Sequence, residues 1–504
     1  NGKLDKEELH RQLDILKEMG VGGAFIHSRV GLETEYLGQE WMELVADCLD
    51  YGRKIGLELW LYDEDRWPSG TAGGKVTEKT ANRTKHLQLQ IVNASSGIEL
   101  YEGKTVKGIY SCVLNGHEYS DLKQYQTGDA LKDGEKILVL TEEYSPCSDA
   151  YNGYTYLNTM KGSAVDDFVD STYQAYRDEL PEKSWNEIKG VFTDEPHRGA
   201  YLTCFSEGNA LSVPYTDGLE KEFRKRFGYS LEPLYPELFF NETGKSTSKV
   251  RRDYLELTQE LFLLNYMKKI QTWCNGNDIK LTGHVLQEDS LSAQTCMIGS
   301  VMSAYEYMDV PGIDLLGEKN NCWWIGKQLT SVAHQFGREE TLTELYGCTG
   351  WQMNFEQYKN IGDWQAMMGI SLFCPHLCWY TMKGENKRDY PASIFYQSAW
   401  YKEYRYLEDY FARIHVLTRG KAADCRLLVL NPIESVWARS YSGSFEWLDS
   451  VDPGITAIEN KYQNCFKYLM EAGIDFDYGE ERILAEHGRV QGAHFIVGDC
   501  VYDK

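Results

Sequence analysis

The chain opens with an amphipathic stretch followed by a short apolar run, and this order is then repeated. Leucines at three- and four-residue spacing predict a first helix, which Gly20 ends. The apolar run at 21–27 has the length and composition of a strand buried on both faces of a parallel sheet. A second helical pattern at 41–55 and a second apolar run at 57–63 follow. This alternation predicts the βα units of a parallel sheet.

The alternation returns after an interruption and continues to about residue 374. Five further apolar runs predict strands at 190–195, 281–284, 312–316, 341–344 and 371–374. Together with the two earlier runs they indicate a TIM-type (β/α)8 barrel, with an eighth strand expected just before residue 1. A doubly wound open sheet is the alternative, but it needs a glycine-rich phosphate turn after an early strand, and the sequence contains none.

Two segments depart from the barrel pattern. Residues 84–158 carry alternating segments between glycine-rich turns, which predicts a small β-rich insertion after the third strand. Near the end of the chain, apolar runs at 426–430 and 494–498 flank a helical pattern at 462–472, as in a Rossmann-like α/β unit. The predicted α/β organisation is a barrel at 1–420, the insertion at 84–158 within it, and a partial Rossmann-like domain at 421–504.

Composition narrows the class of partner more than the class of fold. The chain has 76 Asp and Glu against 52 Lys and Arg, a formal charge of −24. Nucleic acids and anionic membranes both require a basic surface, so neither is an expected partner. Aromatic residues make up 13% of the chain, and flat amphipathic rings are common where sugars stack. These numbers favour a neutral ligand such as a carbohydrate.

The cysteines and the apolar runs bear on the cellular compartment. The 13 cysteines are scattered through the chain, without the short regular spacing of a disulfide framework. Free thiols indicate a reducing compartment, so we expect the protein to be cytoplasmic. The sequence has no unbroken apolar run of about 18 residues, so a membrane span is not expected.

Charged and aromatic residues stand at the carboxyl ends of the predicted strands, where barrels of this type place their chemistry. In chain order these residues are His27, Arg29, Asp63, Glu64, Asp194, Glu195, His284, Glu288, Asp314, Glu344, Trp379 and Tyr380. Glycoside hydrolysis needs one protonated and one ionised carboxyl group on either side of the glycosidic oxygen. Glu195 ends the fourth strand and Glu344 the seventh, so we expect them to face each other across the barrel mouth. Neighbouring acidic groups raise the pKa of the acid.

We therefore predict Glu195 and Glu344 as catalytic residues. The predicted substrate-binding residues are His27, Arg29, Asp63, Glu64, Trp67, Asp194, His284, Trp379 and Tyr380. Several of these residues have an alternative structural interpretation. The two histidines are equally explained as buried side chains bonded to backbone, and the acidic pair Asp63 and Glu64 as part of a salt-bridged loop. That acidic pair would otherwise clamp two sugar hydroxyls or ligate calcium. Trp379 and Tyr380 are candidates for stacking on a sugar, but two successive strand residues cannot both point inward.

No metal-binding cluster is predicted from the spacing of His and Cys. Cys374, His376 and Cys378 alternate along one strand, but no second Cys or His pair follows nearby, so core packing is favoured over a zinc site. Two other classes of barrel enzyme are also disfavoured. An aldolase would need a Lys at a strand end, and an amidohydrolase-type enzyme would need a His-x-His pair at the first strand.

A set of short motifs runs through the barrel and the start of the second domain. They lie at 22–28, 61–70, 73–74, Glu344 with 350–351, 363–364, 387–391, 422–424 and 428–432. Together they resemble the α-L-rhamnosidase family 106 of glycoside hydrolases and its (β/α)8-barrel relatives, although the β-rich insertion lies outside the resemblance. More distantly, a Glu-Pro pair at the fourth strand and a Glu at the seventh resemble the clan of retaining (β/α)8 glycosidases. That clan has Asn before its acid, where this chain has Asp194.

The resemblance implies a hydrolase that removes a terminal sugar, with rhamnose as the leading substrate. It implies that one of the two Glu residues is a general acid. Family 106 resembles a group of inverting glycosidases. Inversion would make Glu344 a base that activates water, whereas retention would make Glu344 a nucleophile. The resemblance implies no required cofactor, with calcium as an optional ion near the site. The alternatives are a catalytically inactive carbohydrate-binding barrel and a retaining β-glycosidase for a different sugar.

Overall fold

The strands divide into one parallel sheet and several smaller sheets. This computed structural model describes residues 1–92, 101, 103–202, 211–390, 394–419 and 425–503. The strands in these ranges are β1 (Gly23–Ile26), β2 (Glu58–Tyr62), β3 (Lys85–Val92), β4 (Thr105–Asn115), β5 (Glu118–Gln124), β6 (Glu135–Tyr144), β7 (Gly190–Asp194), β8 (Leu211–Tyr215), β9 (Asn241–Glu242), β10 (Lys280–His284), β11 (Val310–Leu315), β12 (Leu342–Leu345), β13 (Leu372–Pro375), β14 (Leu428–Asn431), β15 (Phe445–Glu446), β16 (Asp449–Ser450), β17 (Asp477–Glu480), β18 (Gly488–Gln491), β19 (His494–Val497) and β20 (Cys500–Asp503).

The helices lie mostly between the strands of the parallel sheet. They are α1 (Lys6–Glu18), α2 (Gln39–Ile55), α3 (Gly162–Phe168), α4 (Ala175–Glu179), α5 (Glu182–Trp185), α6 (Leu219–Phe227), α7 (Lys249–Phe262), α8 (Lys268–Gly276), α9 (Leu291–Met297), α10 (Val301–Tyr305), α11 (Trp324–Gln335), α12 (Phe355–Met367), α13 (Arg405–Thr418), α14 (Ile433–Arg439), α15 (Pro453–Glu471) and α16 (Glu481–His487). One π-helical segment joins α3 to α4 and another joins α7 to α8. Among the helices of the described ranges, none has the length and apolar character needed to cross a membrane.

Seven parallel strands form one nearly closed barrel sheet. Their order is β1-β2-β7-β10-β11-β12-β13, so every strand lies beside the next barrel strand in the chain. Each falls on one of the predicted apolar runs. A doubly wound sheet would reverse direction part-way, so this order excludes that alternative and confirms a TIM-like barrel. Apolar side chains, among them Trp60, Tyr62 and Phe192, fill the interior. The eighth strand expected before residue 1 stays a prediction.

The β-rich insertion forms a six-stranded sheet that extends beyond the predicted segment. Its order is β8-β3-β6-β4-β5-β9, and the four central strands come from the predicted 84–158. The outer strand β8 pairs antiparallel with β3, and β9 pairs parallel with β5. Both outer strands follow β7 in the chain. The sheet therefore extends beyond the predicted 84–158, because local alternation cannot show which distant segment covers a sheet edge.

The C-terminal part contains a parallel pair and a separate antiparallel sheet. Strands β14 and β17 pair in parallel, and α15 lies between them in the chain, as in an α/β unit. The second predicted apolar run, at 494–498, does not join them; β19 pairs antiparallel with β18 and β20. Connections of two residues permit only an antiparallel return, which corrects that part of the Rossmann-like prediction. The predicted boundary at 420/421 and the motif residues 391 and 422–424 lie outside the described residues.

The C-terminal part packs on the barrel helix α11. Lys327 Nζ lies 2.7 Å from Asp475 Oδ1, and Ser331 Oγ accepts a hydrogen bond from the backbone of Tyr478 at 2.8 Å. The Gln335 side-chain amide donates to the carbonyl of Tyr478 at 2.9 Å. These contacts hold the parallel pair against the outer helical layer, away from the barrel interior.

Candidate active site

The register of the barrel strands brings four polar side chains together at the carboxyl ends of the strands. His284 on β10 stands opposite Asp194 on β7, and Glu344 on β12 stands opposite Asp314 on β11. Residues opposite each other on adjacent strands point to the same face. Here that face is the barrel interior near its mouth. Glu195 follows Asp194 directly, so the site contains four carboxyl groups around one imidazole.

His284 lies at the centre of these carboxyl groups. Its Nε2 is 2.8 Å from Glu344 Oε2 and 3.4 Å from Asp194 Oδ1. Burial lowers the pKa of His284, but its hydrogen bond to Glu344 and the charges of Glu344 and Asp194 outweigh burial and raise the pKa well above 6.5. The ring is therefore an imidazolium at neutral pH. Its Nδ1 is buried and has no hydrogen-bond partner among the described residues.

The pKa of Glu344 is shifted downward, so this carboxyl is ionised. Burial favours the protonated form, but His376 and the hydrogen bond and charge of His284 lower the pKa of Glu344 to about 2. His376 Nε2 lies 3.5 Å from Glu344 Oε1. Burial lowers the pKa of His376 itself to about 4, so His376 is neutral at pH 7. The charge that stabilises the Glu344 carboxylate at neutral pH therefore comes from His284.

Glu195 is shifted in the opposite direction. Burial and the charges of Asp194 and Glu344 raise its pKa well above 4.5, against the opposing effect of His284. The backbone of Glu195 has φ of 48°, in the left-handed region that few non-glycine residues adopt. Its N–H donates to the carbonyl of His284 at 3.1 Å, which holds this turn. The indole N–H of Trp67 donates to Glu195 Oε2. Oε1 is the oxygen left to carry a proton toward a substrate.

Asp194 is held on its other side by Tyr62. The Tyr62 hydroxyl donates to Asp194 Oδ2 at 2.5 Å. The His27 ring stacks on Tyr62 with centroids 3.3 Å apart, and His27 Nε2 donates to the carbonyl of Arg66 at 3.2 Å. Burial lowers the pKa of His27 well below 6.5, so His27 is neutral. Burial raises the pKa of Asp194 to about 6, although His284 opposes this shift.

Arg29 forms a buried ion pair beside the site. Its Nε and Nη2 donate to the two oxygens of Asp389 at 2.7 and 2.8 Å, a bidentate arrangement. Arg29, Asp194, Glu344 and Trp379 all line a cavity of about 970 Å³ that runs along the barrel between β1 and β13. The guanidinium is thus at the site but already paired with a carboxylate.

Asp63 and Glu64 do not reach the cavity, which corrects their prediction as substrate-binding residues. Asp63 is 0% exposed and accepts hydrogen bonds from Ser69 Oγ at 2.5 Å and the Tyr173 hydroxyl at 2.6 Å. Ser69 Oγ in turn accepts the backbone N–H of Asp194 at 2.7 Å, so Asp63 supports the strand end indirectly. Glu64 is 1% exposed and lies beneath the following loop. Its oxygens accept five backbone N–H groups, those of Asp65, Gly70, Thr71, Ala72 and Gly73.

Glu64→Gln is expected to lower the free energy of unfolding by about 2–4 kcal/mol, because an amide group places donor hydrogens against backbone N–H groups that then lack acceptors. Urea denaturation followed by tryptophan fluorescence measures this change. Glu78→Gln makes the same chemical change at an exposed residue close by and should leave the midpoint unchanged. Equal midpoints for wild type and Glu64→Gln would contradict the assigned structural role.

The two aromatic residues after β13 point in opposite directions. Trp379 is 3% exposed and packs edge-on against Trp351, with ring centroids 6.5 Å apart. The Tyr380 hydroxyl instead accepts the backbone N–H of Asp5 at 3.0 Å, and its carbonyl accepts the Gln12 side chain at 2.8 Å. Tyr380 therefore packs against the α1 region while it also lines the cavity, and its role in sugar stacking stays a prediction. Trp67, by contrast, is 38% exposed and contacts Glu195.

Several site residues received no role from the sequence. Asp314 and Glu288 were visible as strand-end residues, but nothing in the local pattern distinguished them from helix caps. His376 was read as part of a core stripe, and Tyr62 as an ordinary strand residue. Asp389 lies far along the chain from Arg29, and only the fold shows that the two residues pair. The alternation of side chains along a strand was the one signal available for His376.

The residues present do not fit calcium. The predicted ligands, Asp63 and Glu64, have their oxygens bonded to protein donors. Two groups of potential ligand atoms at the site lie within 4.8 Å of one another: Asp194, His284 and Glu344, and Glu195, His284 and Asp314. Both groups depend on His284, a nitrogen ligand that carries a proton here, whereas Ca²⁺ takes six to eight oxygens.

Comparisons with known proteins agree with the fold. No known protein-family model matches the chain. A curated protein from Formosa agariphila, described as a "Putative beta-glucuronidase", is 19% identical over an alignment of 495 residues that covers 84% of this chain and 40% of that protein. Among solved structures, the rhamnosidase from Novosphingobium sp. PP1Y has a TM-score of 0.67 at 12% identity, over 100% of this chain and 64% of that one.

An apo exo-carrageenase of family GH42 from Bacteroides ovatus has a TM-score of only 0.40 at 10% identity, over 66% of this chain and 48% of that one, and this likeness carries no weight here. This chain spans less than two thirds of the length of either the curated relative or the rhamnosidase. At these identities the likeness establishes the barrel architecture that this chain shares with a rhamnosidase.

Proposed function

We propose that this chain is a glycoside hydrolase that removes a terminal, uncharged sugar, with Glu195 as general acid and Glu344 as its ionised partner. One observation carries the proposal: the two Glu residues lie in one cluster around His284, and their surroundings shift the two pKa values in opposite directions. Carboxyl groups whose environments separate their pKa values are the acid and base pair of glycosidases. The barrel shared with a rhamnosidase supports the same class of reaction.

In the proposed mechanism, the proton on Glu195 passes to the glycosidic oxygen as the bond to the anomeric carbon breaks. The Trp67 indole fixes Oε2 of Glu195 and leaves the other oxygen toward the leaving group. In one course Glu344 takes a proton from the water that attacks the anomeric carbon, which inverts the anomeric centre. In the other course Glu344 attacks that carbon and forms a glycosyl-enzyme ester; Glu195, now ionised, takes a proton from the water that cleaves the ester, and the two displacements together retain the configuration. The hydrogen bond from His284 keeps Glu344 ionised until it reacts.

The charge of the site favours an uncharged sugar over a uronic acid. Asp194 and Glu344 line the cavity and would repel a sugar carboxylate. Arg29 also lines the cavity, but its Nε and Nη2 already donate to the two oxygens of Asp389. A neutral deoxy sugar such as rhamnose meets neither obstacle. We therefore expect no β-glucuronidase activity from this chain, although the curated relative is described by that name.

Two other functions remain as alternatives in the proposal. A catalytically inactive carbohydrate-binding barrel would keep the cavity without turnover, yet it has no use for an acid and a base with opposite pKa shifts. A retaining β-glycosidase for another sugar would use the same two Glu residues. It would differ in the configuration of the released sugar and in the glycoside cleaved.

Incubation with a panel of 4-nitrophenyl glycosides tests the proposal, and release of nitrophenol is the measurement. The panel contains α-L-rhamnoside, β-D-glucoside, β-D-galactoside and β-D-glucuronide. We expect turnover of an uncharged glycoside, α-L-rhamnoside first, and none of the glucuronide. Proton NMR of the first-released anomer then distinguishes inversion from retention. Binding of a sugar without turnover of any glycoside would favour the inactive barrel, and turnover of the glucuronide alone would contradict the charge argument.

A further inference from the structure

Asp314 is a carboxyl group of the site to which the proposed reaction gives no role. It lies on β11, directly opposite Glu344 in the strand register. Its oxygen, a nitrogen of His284 and an oxygen of Glu195 lie within 4.8 Å of one another. The side chain is therefore beside the proposed acid and faces the barrel mouth.

One oxygen of Asp314 is buried without a partner. Among the described residues, no hydrogen-bond donor or acceptor contacts Oδ1, although this atom is almost completely inaccessible to solvent. A buried polar atom without a partner destabilises the fold by about 1–3 kcal/mol, so such atoms are uncommon outside functional sites. Here the unsatisfied atom lies next to the position that the bond to be cleaved would occupy. A ligand hydroxyl would satisfy it.

The residues behind Asp314 hold its backbone in place. Its N–H donates to Glu288 Oε2 at 2.8 Å, and the Tyr305 hydroxyl donates to the other oxygen of Glu288 at 2.6 Å. Both Glu288 and Tyr305 are buried. These contacts engage the backbone of Asp314 and leave its carboxyl group unused. Glu288 and Tyr305 are therefore positioning residues for Asp314.

The surroundings of Asp314 favour its neutral form. Burial and the negative charges of Glu344, Glu195 and Glu288 raise the pKa of Asp314 well above 3.8, and His284 opposes this shift only in part. A protonated carboxyl group offers one donor and one acceptor. It is therefore suited to a hydroxyl group, which also donates and accepts, and poorly suited to an anion or a cation.

We infer that Asp314 binds the sugar hydroxyl on the carbon next to the anomeric carbon, through its unpaired carboxyl oxygen. Proximity to Glu195, which must reach the glycosidic oxygen, limits the bound group to a hydroxyl close to the anomeric carbon. Hydrogen bonds to this hydroxyl strengthen as the transition state develops. Asp314 is then a substrate-binding residue whose hydrogen bond also raises the rate of glycosidic bond cleavage. This inference rests on the proposed function and adds a specificity determinant to it.

The test compares Asp314→Asn and Asp314→Ala on the glycoside that the wild type cleaves and on its 2-deoxy analogue. An amide is neutral and offers a donor and an acceptor, so kcat/KM of Asp314→Asn on the full substrate should remain within about 10-fold of wild type. Asp314→Ala should lose about 10²–10³-fold on that substrate, as other removed transition-state hydrogen bonds do. On the 2-deoxy analogue, which lacks the hydroxyl, wild type and Asp314→Ala should differ by less than about 3-fold.

Circular dichroism and thermal unfolding show whether each variant is folded, and Asp133→Asn, at an exposed position of the insertion, is the matched control. Equal losses by Asp314→Ala on both substrates would overturn the inference, because the lost contact would not involve that hydroxyl. The inference would also be overturned if Asp314→Asn were as inactive as Asp314→Ala, because the site would then require a charged carboxylate. Wild-type inactivity on every glycoside would instead be a failure of the proposed function.

Discussion

Glu344→Gln is expected to lower kcat by at least about 10³-fold on every glycoside that the wild type cleaves. The amide can neither accept a proton from water nor attack the anomeric carbon, so the loss does not depend on the leaving group. Substrate binding should change much less, because the side chain keeps its size and its hydrogen bond with His284. Steady-state kinetics on a good and a poor leaving group measure both effects.

The control for this variant is Glu356→Gln, an exposed position on α12 that follows the same barrel strand. It should retain wild-type kcat. Because Glu344 is the hydrogen-bond partner of a buried imidazolium, each preparation also needs a thermal unfolding curve. A folded Glu344→Gln protein with kcat within 10-fold of wild type would exclude Glu344 as base or nucleophile.

Glu195→Gln is expected to produce a loss that depends on the leaving group. For an alkyl or sugar leaving group, which needs a proton, kcat/KM should fall by about 10²–10⁴-fold. For 2,4-dinitrophenol, which leaves without a proton, the loss should be below about 10-fold. The protonated form of Glu195 is the active one and its pKa is raised, so wild-type activity persists as pH rises past 4.5 and falls only above the raised pKa. On the alkyl or sugar leaving group, the residual activity of the variant should lack this alkaline fall.

The pH profiles separate a general acid from a residue that merely shapes the pocket. A shape defect would lower the rate on both kinds of leaving group by the same factor and leave the alkaline fall in place. That result would contradict the role of Glu195 as acid. The role assigned to Glu344 would still stand, because the two assignments depend on different measurements.

The barrel could be predicted because its physical basis is local. A strand buried on both faces must be a short apolar run, and a helix packed on one side must be amphipathic, so both leave a pattern in a single stretch of chain. Helices α3 and α4 are joined by a π-helical segment, which the apolar spacing could not reveal. The antiparallel pairing of β19 was missed because an apolar run does not specify the direction of its partner.

The site was predicted less completely, because side-chain direction depends on backbone turns that the residue types do not encode. Asp194 and Glu195 were located correctly at a strand end, but so were Asp63 and Glu64, whose carboxylates turn inward under their own loop. The difference arises after the strand, where the chain at 65–73 folds back over Glu64 and offers its N–H groups. The sequence shows that Trp379 and Tyr380 alternate, but only the structure shows that the Tyr380 hydroxyl is bonded to the backbone of Asp5.

The six-stranded sheet has a consequence for the order in which the protein folds during synthesis. Its central strands leave the ribosome early, but β8 and β9, which cover its two edges, are made only after β7. Until then the nascent chain exposes the edges of β3 and β5, a state in which strands are prone to pair with other chains. The six-stranded sheet can therefore be completed only after β7 and the segments that carry β8 and β9 have been translated. For the same reason, the segment 84–158 cannot be transplanted to another barrel as an independent module.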